Sequence, residues 1–319
     1  MEKTENPEKL IQKAEKLLKP GFFKAIFSNT EDRVEKAIEL YNTAGQIYII
    51  EKQYKKAGEC FEESSKLKKN IKESPEEDYK EAINCYKKIN DIENYNRIMN
   101  LLINYYIKEN EFSEAANLQF EISKELSKDK NKVNEALESF DKCLDFYNMD
   151  KDSSKISISK TKIEKANLIT FYEIKDEILY AHNIYDEVGK EKMESSTGKF
   201  LAQEFFAKNV ITYLVYDDVI TAKAYLHKYY DIDSNFENSE IGNLIEDLIT
   251  IFENEESNNF SNENKENLTI DKAVLDFSVH NKNNKFYDYW MEEMINKIKK
   301  KIEIMRKEQV NFAEEMDFK

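Results

Sequence analysis

The feature that most constrains the fold is a recurring pair, an alanine followed four positions later by tyrosine or phenylalanine. Two residues four apart share one face of an α-helix, where the alanine admits a neighbouring helix and the ring fills the adjacent space. Recurrence at intervals of roughly 20–45 residues is typical of helix-hairpin repeats, which bury their apolar faces by stacking into an α-solenoid. The pairs are Ala37/Tyr41, Ala44/Tyr48, Ala57/Phe61, Ala82/Tyr86, Ala116/Phe120, Ala136/Phe140, Ala181/Tyr185 and Ala202/Phe206.

Composition favours the same architecture, because 319 residues contain only 6 glycines and 3 prolines to interrupt helices. We predict an all-α fold, a right-handed α-solenoid of TPR-like antiparallel helix hairpins with a C-terminal helical bundle. The hairpins are expected over residues 1–230, the bundle over 231–311 and an acidic tail over 312–319. The polar, low-complexity segment 257–267 is expected to be a loop.

The cysteines and the ends of the chain indicate a soluble, cytosolic protein. Cys60, Cys85 and Cys143 lie in helical patterns without CxxC spacing, which predicts core thiols in a reducing compartment. The first nine residues are charged, and no apolar region of a signal peptide follows them. No apolar run is long enough to span a bilayer.

Charge is unevenly distributed along this chain of net charge −15. Residues 231–279 hold thirteen acidic side chains against two lysines, whereas 151–175 and 297–307 are rich in lysine. Such an arrangement suggests partners of opposite charge at different places, although solvated helix faces would give similar runs. The acidic balance argues against nucleic acid as a partner.

An apolar cluster lies where a polar loop between two helices is expected. Phe22, Phe23, Ile26 and Phe27 fall within residues 20–29, between Pro20-Gly21 and a run of turn-forming residues. They could close the open end of the solenoid. They could equally form an exposed loop that enters a membrane interface.

Catalytic and metal-binding motifs are missing from the sequence, which predicts neither an enzyme nor a cofactor site. The three histidines are far apart and have no zinc-ligand spacing. His182 is expected to form an interhelical hydrogen bond, and Trp290 is expected to cap the core rather than bind a ligand.

The order of several short motifs resembles one known family over nearly the whole chain. They are Phe22-Phe23-x-x-Ile26-Phe27, Lys52-x-Tyr54-x-x-Ala57-Gly58-x-x-Phe61, Ile184-Tyr185-Asp186-Glu187-Val188-Gly189, and the closing helix from Trp290 with its acidic end. The chain resembles the soluble NSF attachment proteins of the α/β type. These are adaptors that join SNARE bundles to the AAA+ ATPase NSF during vesicular transport and membrane fusion.

The resemblance implies partners, location and site residues. The partners are a SNARE four-helix bundle, NSF and a membrane surface, with a free monomer and several copies on one bundle. The location is cytoplasmic, peripheral on vesicles, Golgi and other endomembranes. The implied membrane contacts are Phe22, Phe23, Ile26 and Phe27; the SNARE contacts are Lys52, Lys160, Lys162 and Lys165. The implied NSF contacts are Asp217, Glu253, Glu255, Glu256, Glu314, Glu315, Asp317 and Phe318.

Three positions depart from the basic residues that the resemblance implies on the SNARE-facing surface: Glu111, Asn117 and Gln203. Either the register differs there or this chain grips its SNAREs differently. Two alternatives remain open. One is a generic TPR-like scaffold for peptides, of the co-chaperone type, although the regular 34-residue period is missing. The other is a divergent γ-type attachment protein, which the acidic end with a penultimate apolar residue disfavours.

Overall fold

The computed structural model describes residues 5–19, 30–195, 197–216, 218–257, 269–280 and 288–317. In these ranges the chain forms fifteen α-helices, two one-turn 3₁₀ helices and no β-strand. The helices are α1 (Pro7–Leu18), α2 (Thr30–Ile50), α3 (Tyr54–Asn70), α4 (Glu76–Lys88), α5 (Ile92–Glu109), α6 (Phe112–Leu126), α7 (Val133–Met149), α8 (Lys155–Tyr172), α9 (Ile178–Met193), α10 (Lys199–Tyr216), α11 (Val219–Ile232), α12 (Ser234–Glu237), α13 (Glu240–Ser257), α14 (Ile270–His280) and α15 (Tyr289–Asp317).

The chain divides into two compact units, residues 1–128 with 138–154 and residues 129–137 with 155–319. In the first unit each helix from α1 to α5 packs against the next one, and in the second the same holds for each helix from α8 to α13. This consecutive packing confirms the prediction of an all-α solenoid. The second unit is also closed by α13 and α15, which both pack against α10. The predicted division at residues 230 and 231 and the handedness stay predictions.

The alanine–aromatic signature marks the core as predicted. All eight alanines have no exposed surface, and every aromatic partner except Phe120 is at least nine-tenths buried. Glycines allow the same close approach. A β-carbon placed on Gly189 would lie 2.5 Å from Cε1 of Phe206, and one on Gly58 would lie 2.8 Å from Cζ of Tyr86. The rings therefore occupy the space that the side chain of any residue larger than glycine would need at positions 58 and 189.

The tyrosines of the core also align neighbouring helices through their hydroxyl groups. Each of four buried tyrosines donates a hydrogen bond to a polar side chain on the helix that precedes its own. A buried hydroxyl without a partner would destabilise the fold, so these bonds favour one register between helices. The bonds are Tyr86 to Glu62 (2.5 Å), Tyr106 to Glu76 (2.8 Å), Tyr147 to Asn117 (2.8 Å) and Tyr185 to Asn167 (2.9 Å).

The end of the last helix differs from its prediction. The backbone of α15 continues to Asp317, whereas the sequence suggested an end at Asn311 and an unpacked tail over 312–319. Neither glycine nor proline interrupts this stretch, and Ala313, Glu314 and Glu315 favour helix. The charged residues of the expected tail are thus helical as far as Asp317.

The prediction that the cysteines lie in the core is confirmed, whereas the reducing compartment stays a prediction. Cys60, Cys85 and Cys143 are buried thiols, and that of Cys143 donates to the carbonyl oxygen of Ala116 at 3.2 Å. Burial raises the pKa of Cys60 to about 12 and that of Cys85 to about 11, so both remain protonated thiols at neutral pH. Among the described helices, none is both long enough and apolar enough to cross a membrane.

Candidate functional site

The lysine-rich segment of the second unit forms α8, which begins at Lys155. Lys160 is exposed on this helix. Lys162 is half-buried, and its Nζ lies 3.2 Å from Oε1 of Glu187 on α9. Since both partners of this pair are partly in water, the attraction between them is weak and a stronger acidic partner could replace it.

Lys165 lies on the same helix but inside the protein. Its side chain is buried, and Nζ lies 3.4 Å from Oε2 of Glu177 and 4.9 Å from the ring centre of Tyr180. The ammonium group is therefore engaged within the second unit. Of the three lysines on α8 that the resemblance implies, only Lys160 and Lys162 present their charge at the surface.

Lys52 lies in the first unit, in the turn between α2 and α3. Its φ of 59° is left-handed, and the next amide, of Gln53, donates to the carbonyl oxygen of Tyr48 at 2.8 Å. This pattern closes the end of α2 by a Schellman motif. The same arrangement recurs at Asn90 and Asn110. Lys52 is exposed, so its position combines a turn requirement with an available charge.

Of the three departures from the implied basic surface, the side chains of Asn117 and Gln203 have local structural roles. Glu111 precedes α6, and its carbonyl oxygen accepts from the amide of Ala115 at 3.1 Å. Asn117 accepts from the hydroxyl of Tyr147. Gln203 is buried, and its Nε2 donates to Oδ2 of Asp233 at 2.8 Å. Gln203 in particular takes part in packing rather than in a surface.

Two acidic residues of α13, Glu253 and Glu255, are paired with basic residues of the same unit. Oε1 of Glu253 lies 2.5 Å from Nζ of Lys223 on α11. Glu255 is only 3% exposed, and both its carboxylate oxygens accept hydrogen bonds from Arg306 on α15, one of them at 2.9 Å. The hydrogen bond to Glu255 raises the pKa of Arg306 above its ordinary value. Glu255 thus joins α13 to α15, whereas Glu253 remains at the surface.

The basic run 297–307 is bonded within the second unit at four of its six basic positions, although Lys300, Arg306 and Lys307 are exposed. Lys299 pairs with Asp271 at 2.5 Å, and Lys301 donates to the carbonyl oxygen of Leu214 at 2.8 Å. Lys297 is 7% exposed, and its ammonium group donates to the carbonyl oxygen of Phe171 at the C-terminal end of α8. These charges hold α15 against the other helices of its unit.

The contact between α8 and α15 is a buried polar cluster that the sequence did not predict. The indole N–H of Trp290 donates to Oγ1 of Thr170 at 2.8 Å, and Nζ of Lys208 lies 4.2 Å from the Trp290 ring centre. Nζ of Lys208 also donates to Oδ1 of Asn167 at 3.3 Å. The prediction that Trp290 caps the core is confirmed, since this side chain is 6% exposed. A signal did exist, because Lys297 follows Trp290 and Met294 at helical spacing on the inner face.

The prediction for His182 is also confirmed. Its Nδ1 lies 2.6 Å from Oδ1 of Asn209, and its ring stacks on Tyr213. Asn209 in turn donates to the hydroxyl of Tyr229, which donates to Asp186. This chain of bonds joins α9, α10 and α11, a structural role.

Several implied site residues lie outside the described residues: Phe22, Phe23, Ile26, Phe27, Asp217 and Phe318. For Glu256, Glu314, Glu315 and Asp317 the structure describes the helical backbone alone. Among the side chains that are described, no group of three or more His, Cys, Asp or Glu could hold a metal ion.

Consecutive helix packing, with charged groups distributed over two units, defines a protein of the helical-repeat class. Comparison with known proteins gives the family. The family model for soluble NSF attachment protein, SNAP, matches residues 5–303. The chain therefore belongs to the soluble NSF attachment protein family, as its resemblance predicted.

Named relatives agree with this assignment. The vesicular-fusion protein SEC17 of Komagataella phaffii is 26% identical over 72% of this chain and 77% of its own length. The beta-soluble NSF attachment protein of Bos taurus is 24% identical over 92% of this chain and 93% of its own. The alpha-soluble NSF attachment protein of Saccharomyces cerevisiae is 24% identical over 93% of this chain and 97% of its own length. These names place the relatives in vesicular fusion as attachment proteins for NSF.

Proposed function

We propose that this protein is an adaptor that binds SNARE complexes, recruits NSF and stimulates its ATPase activity, so that the SNARE complexes are disassembled. The observation that carries the proposal is the match to the SNAP family over residues 5–303, with relatives covered over most of their length. In this mechanism the adaptor transmits force and does no chemistry. It would act in vesicular transport as a peripheral protein of endomembranes, monomeric when free.

The SNARE contact is assigned to surface lysines. A SNARE bundle with an acidic side would attract Lys160 and Lys162 on α8, which are exposed and half-buried. Lys52 would contribute from the first unit. Lys165 is engaged with Glu177, so it supports α8 from within instead of touching the partner. Single exposed charge pairs contribute little, and several adaptor copies on one bundle would add their affinities as avidity.

The NSF contact is assigned to the acidic residues near the C-terminus. Glu253 is partly exposed, and Asp217, Glu256, Glu314, Glu315, Asp317 and Phe318 complete the proposed set. Glu255 is buried against Arg306, so its part is to hold α13 and α15 together. Acidic side chains of this kind would steer the adaptor towards a basic domain of NSF.

The test of this function is the ATPase rate of NSF with a pre-formed SNARE complex, measured with and without the protein. A clear increase is expected at adaptor concentrations that saturate the SNARE complex. NSF with adaptor alone, and NSF with SNAREs alone, serve as controls. A rate that does not rise with several different SNARE sets would overturn the proposal and favour a general peptide-binding scaffold.

A membrane contribution is proposed for the apolar segment 20–29. Replacing Phe22 and Phe23 by serine should weaken disassembly of membrane-anchored SNAREs and leave binding of detergent-solubilised SNAREs nearly unchanged. Each ring that leaves water contributes about 1.5–3 kcal/mol, so the loss on liposomes should be large. Disassembly is measured on liposomes and in detergent in parallel. Equal losses in both settings would place the rings in the protein core and contradict the membrane role.

A further inference from the structure

Lys297 joins the last helix of the protein to the C-terminal end of α8 by an unusually complete set of bonds. Its Nζ donates to the carbonyl oxygens of Thr170 and Phe171, at 3.1 and 2.6 Å, and to the hydroxyl of Tyr216 at 2.9 Å. An ammonium group has three N–H donors, and all three are used. Oε1 of Glu173, 3.2 Å away, supplies a countercharge.

The place of these bonds on α8 gives them their strength. The last carbonyl oxygens of a helix have no partner within it, and they carry the negative end of the helix dipole. A cation there is favourable, and the exclusion of water around a side chain that is 7% exposed strengthens the attraction. The hydroxyl of Tyr216 also donates to the carbonyl oxygen of Thr170, which ties α10 to the same point.

Further contacts hold α15 on both sides of Lys297. Trp290 donates to Oγ1 of Thr170, and Lys301 donates to the carbonyl oxygen of Leu214 near the end of α10. Arg306 donates two hydrogen bonds, one to each carboxylate oxygen of Glu255 on α13. With the pair between Lys299 and Asp271, residues 290–306 of α15 are therefore attached at five points, and two of these points meet α8 at Thr170.

The two ends of this attachment carry the two proposed partner contacts. Lys160 lies ten residues before Thr170 on α8, about 15 Å along the helix at 1.5 Å per residue. Asp317 lies twenty residues after Lys297 on α15, about 30 Å by the same measure. Both helices are continuous over these distances. A displacement of the C-terminal end of α15 would be transmitted to α8 through the buried contacts at Thr170.

We propose that Lys297, with Trp290 and Thr170, is the mechanical link between the NSF-binding end of α15 and the SNARE-binding face of α8. Lys297 is a positioning residue, since it touches neither partner. This inference rests on the proposed function and adds to it the residues through which force passes. Without the link, NSF should still bind and hydrolyse ATP, but its work should reach the SNARE complex less efficiently.

The experiment compares the full-length protein with Lys297→Met, which keeps an unbranched side chain one atom shorter and removes its donors. Three quantities are measured: SNARE binding, stimulation of the NSF ATPase, and SNARE complexes disassembled per ATP hydrolysed. The first two should stay close to those of the unaltered protein, and the third should fall about tenfold, within the roughly two- to thirtyfold range for loss of a coupling contact. The matched control is Lys300→Met, three positions along the same helix and exposed, which should change none of them.

A second variant guards against misfolding of Lys297→Met, since burial of a broken charge network can be strongly destabilising. Trp290→Phe keeps an aromatic ring, loses the hydrogen bond to Thr170 and reduces the ring packed against Lys208. Circular dichroism and thermal melting verify that each variant is folded. Trp290→Phe should lower disassembly per ATP in the same direction and by a smaller factor. An unchanged ratio in folded variants that still bind both partners overturns the link.

Hydrogen exchange gives a readout that does not depend on disassembly. When the isolated N-terminal domain of NSF binds the protein, exchange should slow at the amides of residues 170–174, and Lys297→Met should abolish that change. Binding of the domain without any change there overturns the link and leaves the proposed function intact. Absence of both NSF binding and ATPase stimulation in the unaltered protein overturns the proposed function itself.

Discussion

Removal of residues 314–319 is expected to return the ATPase rate of NSF to the level measured without adaptor, while SNARE binding stays as in the full-length protein. This segment holds three carboxylates and the penultimate Phe318. On α8 the described contacts of Lys162 and Lys165 are made to Glu187, Glu177 and Tyr180 of the second unit. The measurement pairs an ATPase assay with pull-down of the protein on immobilised SNARE complexes.

Two controls separate the parts of this effect. Phe318→Ala leaves all carboxylates in place and tests the apolar side chain alone, and Glu314→Gln with Glu315→Gln tests the charge. Each should reduce stimulation by less than the deletion does. If the shortened protein stimulates NSF fully, residues 314–319 have no part in the mechanism. If it also loses SNARE binding, the assignment of the two contacts to different helices is wrong.

The fold was open to prediction because its signals are local. Pairs such as Ala181 and Tyr185 are four residues apart on one helix, so they can be recognised without knowing which helix lies opposite. Their complete burial follows from stacking, which every repeat must achieve. The sequence analysis placed the end of the helical bundle at residue 311, six residues before the end of α15 at Asp317. Charge suggested a tail, whereas helix propensity over 312–317 was sufficient to continue the helix.

Charge was a weaker guide, because pairing joins residues that are distant in sequence. Lys297 and Thr170 are 127 positions apart, and Arg306 and Glu255 are 51 apart. No spacing rule relates such positions. The basic run of α15 therefore suggested a surface, although its members at 297, 299, 301 and 306 are bonded within the second unit. An unpaired charge buried in a core is costly, so a lysine on an apolar helix face indicates a distant partner rather than exposure.

Replacement of Phe206 by alanine should destabilise the second unit by about 3–5 kcal/mol, the usual cost of removing a large buried ring. This ring has no exposed surface and stacks on Tyr229 with ring centres 4.1 Å apart. It also fills the space left by Gly189, so the neighbouring helix α9 would lose a contact as well. The free energy of unfolding is measured by urea denaturation followed by circular dichroism.

Phe200→Ala is the matched control, because Phe200 lies on the same helix α10 and is 64% exposed. The chemical change is identical, so the change in helix propensity is also similar, and stability should shift by no more than about 0.5 kcal/mol. Hydrogen exchange would assign the loss in Phe206→Ala to α9, α10 and α11, with protection kept in α2 to α5. Equal losses in the two variants would contradict the packing described for α10.

Because α10 also packs against α13 and α15, Phe206→Ala should weaken stimulation of NSF before it weakens SNARE binding at Lys52.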